Sequence, residues 1–150
     1  MLEGQMESLA TLSRTSSSNW KLVMGNEELL VSENPIVDKS FDFAVKIVNL
    51  ARNIRDKREY ELARQLLRCG TSIGANVAEA QNAQSDRDFL AKMYIALKEA
   101  SETKYWIELL HATEIISDAE HRHIIKDMHE ILKILSAITK SLERKLGIKE

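Results

Sequence analysis

Between residues 36 and 146 the apolar side chains return every three or four positions in four successive stretches, and no proline interrupts them. A period near 3.6 marks amphipathic helices and argues against the strict alternation of half-buried strands over this span. The one proline, Pro35, stands at the head of the first stretch, where a missing N–H costs a helix little. Long amphipathic helices joined by short connections become antiparallel neighbours. The expected fold is therefore all-α, an antiparallel up-down four-helix bundle.

The first helix is expected over about 36–56. Phe41, Phe43, Ala44, Ile47, Val48, Leu50, Ala51 and Ile54 fill one half of its circumference, and Asp42, Lys46, Asn49 and Asn53 the other. The second, over about 59–83, carries Leu62, Leu66, Ile73 and Val77 beside a stripe of small residues, Ala63, Gly70, Gly74 and Ala78. Each interior glycine costs a helix roughly 1 kcal/mol against alanine. Two of them one turn apart imply that another backbone comes very close; a kink near Gly70-Thr71-Ser72 is the alternative. The third helix, to about 112, opens on Ser85-Asp86-Arg87-Asp88, a capping box with Asp in place of Glu or Gln. Apolar residues nearly encircle it: Phe89, Met93, Ala96, Ala100 and Ile107 on one line, Tyr94 and Tyr105 on a second, Ile95 and Trp106 on a third. The fourth opens on a full box, Ser117-Asp118-Ala119-Glu120, and Gly147 ends it. Its apolar residues, from Ile124 to Leu142, cover about half the circumference, wider than a ~100° stripe. One bundle needs one stripe per helix. The surplus on the third and fourth helices implies a homo-oligomer.

Charge divides the chain. Residues 1–34 hold two basic and five acidic side chains, include Ser16-Ser17-Ser18-Asn19 and show no sustained apolar period. They read as a flexible N-terminal leader ending at Asn34-Pro35, with residues 35–150 as the bundle domain. The overall formal charge of −2 argues neither for nor against a nucleic-acid partner. No apolar run is long enough to cross a bilayer, and the N-terminus lacks the basic-then-apolar order of a signal peptide, so no membrane partner is expected. A single cysteine, Cys69, allows no intramolecular disulfide and fits a reducing cytoplasm.

Three constellations bear on chemistry. Glu108-x-x-His111 and Glu120-x-x-His123 have the spacing that di-iron carboxylate bundles use. Both flank the turn at 112–117, however, at the end of the bundle, and Glu99 lies about 13 Å along the helix from Glu108. The His- and Glu-rich turn reads as a solvated helix end, and no metal site and no cofactor are expected. Arg68, Asn76 and Glu79 on the second helix, with Glu99 and Glu102 on the third, read as a structural polar layer in which the Arg68 fork pairs carboxylates. Residues 52–68 hold Arg52, Arg55, Lys57, Arg58, Arg64 and Arg68 against three acids, with Tyr60 among them. Arg52, Arg55, Lys57, Arg58, Tyr60 and Arg64 are the candidate nucleic-acid-binding residues, the cations for phosphates and the ring for a base. No Ser/His/Asp, Cys/His or phosphate-loop signature appears: Gly70-x-x-x-Gly74 runs on into Ala75-Asn76, and Cys69 falls beside apolar positions. The chain is not expected to be an enzyme.

The run Gln65-Leu66-Leu67-Arg68-Cys69-Gly70-Thr71-Ser72-Ile73-Gly74-Ala75-Asn76-Val77-Ala78-Glu79-Ala80 is followed by Asp88-Phe89, by Ile95-Ala96-Leu97-Lys98-Glu99-Ala100, and by Glu102-Thr103 and Trp106. Together these resemble the bacterial four-helix-bundle family of 23S rRNA-intervening-sequence proteins over about residues 36–146. Cys69 stands where that family commonly has Ser, and the fourth helix matches only in apolar pattern. The resemblance implies a cytoplasmic bacterial protein that assembles as a ring-like homopentamer, and it carries over no catalytic residue. It raises rRNA, or another RNA or DNA, as a partner. The alternative is an oligomeric protein-interaction scaffold without nucleic-acid contact.

Overall fold

The computed structural model describes the backbone of residues 10–15, 19–24 and 27–29, and all of residues 34–148. Four helices follow one another: α1 (Pro35–Asp56), α2 (Tyr60–Ala80), α3 (Asp86–Ala112) and α4 (Asp118–Lys145). Each packs on its neighbour in sequence, and α1 also packs on α4, so the four close into an up-down bundle. The helix bounds fall within three residues of those that the apolar period implies.

The ends are set by local chemistry. Ser117 accepts from Glu120 N at 3.1 Å while Glu120 Oε2 accepts from Ser117 N at 2.8 Å, the reciprocal box that the sequence calls for. At α3 only half of the box forms. Ser85 Oγ accepts from Asp88 N at 3.1 Å, but Asp88, one methylene shorter than Glu, accepts from Gln84 N instead of Ser85 N. Three C-termini close in Schellman fashion. After α4, Gly147 takes a φ of 65°, with Ile148 N bonded to Glu143 O at 2.9 Å. After α1 and α3 the left-handed position falls to Arg58 and Glu114, which carry a Cβ that disfavours it.

Phe43, Ile47, Leu66, Ile73, Phe89, Met93, Ile107, Met128 and Leu135 are among the buried side chains that line the axis. Close packing holds over a kink, against the Ile47 side chain at Gly70 and against backbone at Gly74. A Cβ on Gly70 would stand 2.7 Å from Ile47 Cγ2, and one on Gly74 would stand 3.2 Å from the Ser40 carbonyl oxygen. α2 runs through both positions without a break.

The apolar surplus is distributed differently from the expectation. On α3, Tyr94, Ile95 and Tyr105 are exposed as expected. The broad face of α4 is instead taken up by the bundle, with Ile125, Leu132 and Ile134 packed against its core. Phe41, placed by the sequence on the apolar half of α1, is 68% exposed, and Val45 and Leu67 join it at the surface.

Outside the bundle, β1 (Ala10–Thr15), β2 (Asn19–Met24) and β3 (Glu27–Leu29) pair antiparallel in the order β1-β2-β3. Ala10 pairs with Met24, Thr15 with Asn19, and Met24 with Glu27. This sheet is an element that the reading of a flexible leader did not contain. Its signals were a period of two at Trp20, Leu22 and Met24 and the dipeptide Gly25-Asn26, both silent to a search for a period of 3.6.

Two outcomes follow. Gly70→Ala should destabilise the bundle by about 1–3 kcal/mol in urea unfolding, although alanine is the better helix former, because Ile47 has to move. Equal or greater stability in the variant would remove the close-approach reading. Hydrogen bonds from Ser117 hold the Glu120 carboxyl below its usual range. Its stabilising effect is therefore present above the unfolded carboxyl's pKa and is lost as pH falls through the lower folded value. Urea titrations at neutral and acid pH should show Glu120→Gln losing less stability on acidification than the parent chain.

Candidate nucleic-acid interface

The seam between α1 and α2 closes at Gly70 and Gly74 and opens toward the α1–α2 turn. There it forms a groove of about 590 Å³ lined by Val48, Ala51, Arg52, Arg55, Tyr60, Glu61, Ala63, Arg64 and Leu67. Ala51 and Ala63 are buried, and their small side chains form a low floor. Arg52 and Arg55 come from successive turns of α1, while Tyr60 and Arg64 lie one turn apart on α2. Four of the six candidate residues thus meet from two helices around one concave surface.

The charges of the groove are largely open. Arg64 pairs with Glu61 at 2.6 Å, on a fully solvated edge. Among the described residues, neither Arg52 nor Arg55 has a carboxylate partner. Tyr60 is 58% exposed. A second groove, between α1 and α4, is the opposite case: its cations are neutralised, Lys39 by Glu130 at 2.8 Å and Lys46 by Asp127 at 2.5 Å. Two candidates lie outside the α1–α2 groove. Lys57 Nζ donates to the Ile115 carbonyl and so ties the α1–α2 turn to the α3–α4 turn. Arg58 occupies the left-handed turn position and is exposed.

The polar layer assembles in part. Arg68 pairs with Glu102, lies 3.7 Å from Glu99 across the α2–α3 seam, and shares Glu102 with the Trp106 indole N–H at 3.3 Å. Glu99 is the more shielded carboxylate, 17% exposed at the side chain, so Arg68 is its nearest compensation. Asn76 and Glu79 take no part in this network. Asn76 Nδ2 donates to the Ser72 carbonyl of its own helix at 2.8 Å, and Glu79 pairs with Lys92 at 2.7 Å. Spacing places such residues along one helix face but does not say which neighbour reaches them. Cys69, buried near this layer, donates weakly to the Leu66 carbonyl at 3.6 Å, and burial pushes its thiol up from the ordinary value.

The two Glu-x-x-His motifs do not combine. Glu120 is held in the α4 capping box, and His123 faces a pocket with Lys46, Asn49 and Asn53. Glu108, His111 and His121 gather instead, with potential ligand atoms within 4.8 Å of one another. The His111 and His121 rings stack at 3.9 Å and 11°. His121 Nε2 lies 3.3 Å from Glu108 Oε2 and His111 Nε2 lies 2.7 Å from Asp118 Oδ1. The hydrogen bond with His111 and the charge of that ring hold the Asp118 carboxyl below its usual range.

No described helix is long and apolar enough to cross a membrane. A comparison with curated proteins finds no match. Among solved structures, the chain is similar to a protein of unknown function from the S23 ribosomal protein family of Bacteroides thetaiotaomicron VPI-5482. The two are 50% identical with a TM-score of 0.68, over 70% of this chain and 98% of that one. The family model described as 23S rRNA-intervening sequence protein matches residues 32–137, most of the bundle. The chain therefore belongs to the 23S rRNA-intervening sequence protein family.

Proposed function

We propose that this chain is a non-enzymatic bundle that associates with copies of itself in the cytoplasm and binds the phosphate backbone of RNA or DNA in the α1–α2 groove. The observation that carries the reading is the convergence of Arg52, Arg55, Tyr60 and Arg64 on one concave surface, with the two α1 guanidinium groups free of carboxylates among the described residues. A guanidinium fork matches two phosphate oxygens, and an exposed phenol ring beside it offers a face on which a base stacks. The family's name makes 23S rRNA the first ligand to try.

Self-association is supported by Phe41, Val45, Tyr94, Ile95 and Tyr105, large apolar side chains left at the surface of one copy. Covering them gains roughly 25 cal/mol for each Å² of apolar area. The ring of five implied by the family resemblance would present five copies of the groove. Later contacts to one polyanion are then intramolecular and raise its overall affinity. The alternative is a scaffold that binds protein alone, and the apolar Val48 and Leu67 in the groove favour it, since they would suit an amphipathic helix.

The test is a fluorescence-anisotropy titration of a structured 23S rRNA fragment and a DNA duplex, with light scattering for mass. Affinity should fall steeply between about 50 and 200 mM salt. The triple variant Arg52→Gln, Arg55→Gln, Arg64→Gln should lose at least about tenfold in affinity at the same assembled mass. Assembly without affinity at low salt would leave the protein scaffold. A monomeric mass would remove self-association.

A further inference from the structure

We infer that Glu108, His111 and His121 form a mononuclear site for a divalent transition cation of the zinc type, clasping the end of α3 to the start of α4. The three side chains come from two helices that reverse at residues 113–117, and their ligand atoms already lie within 4.8 Å of one another. Zinc holds imidazole nitrogen at about 2.0–2.1 Å in tetrahedral sites, so two of its ligand atoms stand about 3.3 Å apart. His121 Nε2 and Glu108 Oε2 are separated by 3.3 Å and make one such edge. The His111 and His121 rings lie nearly parallel, 3.9 Å apart between centroids, and an ion binds in the plane of an imidazole, so His111 has to swing out of the stack to bring Nδ1 to the third corner while Nε2 faces Asp118.

The donor set selects the ion. Two imidazoles and one carboxylate suit zinc and its transition neighbours, whereas calcium and magnesium take oxygen. Asp118 Oδ1 sits 2.7 Å from His111 Nε2, the outer carboxylate that commonly orients a metal-binding imidazole. Burial is graded to match. His121 is 16% exposed at the side chain and His111 is twice as open, while Glu108 is nearly half exposed. The solvent side thus gives an entry path and a fourth position for water.

The frame is prepared in advance. Glu114 turns the chain in the left-handed region, Ile115 N bonds Leu110 O at 3.0 Å, and the Ser117–Glu120 box fixes the next helix start. The register of both helix ends is therefore set by these local hydrogen bonds, not by the ion. Occupation would add a covalent-like tie between residues 108 and 121 of one copy.

The test uses the full untagged chain, stripped with chelator and titrated with zinc chloride by calorimetry, with cobalt(II) absorption as a second readout. The expected result is one ion per chain and the intense visible bands of four-coordinate cobalt. His111→Ala and His121→Ala should each weaken binding at least about tenfold. Glu108→Gln should weaken it while leaving both imidazoles and the helical circular dichroism in place. His123→Gln and His129→Gln should bind as the parent chain does. Failure to bind at sub-millimolar zinc, binding that survives the His111/His121 double variant, or half an ion per chain would each overturn the site. None of these readouts depends on RNA binding.

Discussion

A Cβ on Gly70 would overlap the side chain of Ile47, and one on Gly74 would press on the Ser40 carbonyl. The contact between α1 and α2 that these two glycines permit is the constraint on which the rest of the bundle rests. Two helices so close fix each other's rotation about their own axes, since only one face of α2 is smooth enough to accept α1. That rotation turns Leu66, Ile73 and Val77 inward, toward α3 and α4. It also leaves Arg52, Arg55 and Arg64 on the outer rim of the same seam. Helix propensity lost at positions 70 and 74 is offset by dispersion contacts along a close-packed interface.

How the charges came to their positions is a matter of helix rotation more than of composition. The basic run at 52–68 is visible in the sequence, and its net charge survives folding. What the run does not reveal is that Arg52, Arg55, Tyr60 and Arg64 share a surface while Lys57 reaches across to Ile115. Spacing along one helix gives neighbours at three and four residues. Neighbours across two helices depend on axial rotation and register, which the sequence encodes only through packing. The histidines teach the same lesson. Glu108 and His111 stand together as their spacing requires, but His121 joins them and His123 does not. The turn decides which side of α4 meets α3.

Most of the bundle was legible. Helix bounds, the Ser117 box, the Gly147 terminus and the close approach at Gly70 and Gly74 all follow from local chemistry that a sequence displays directly. The strands between residues 10 and 29 were not, because their alternation is short and the segment has no sustained apolar period. Phe41 was misplaced for another reason. It lies at the margin of a broad apolar arc, where a few tens of degrees of rotation separate core from surface. The Arg68 layer fell between these cases: Glu99 and Glu102 are its partners as expected, but Asn76 and Glu79 are engaged elsewhere.

The buried thiol of Cys69 bears on how copies of the chain can hold together. It is the one cysteine in the sequence, it lies inside α2, and its thiolate is disfavoured there. Disulfide exchange requires a thiolate that another sulfur can reach. Oxidising conditions therefore have no ready handle with which to lock two folded copies covalently. The self-association proposed above would therefore be governed by mass action alone: concentration, and any ligand that bridges copies, would set its extent, and dilution would reverse it.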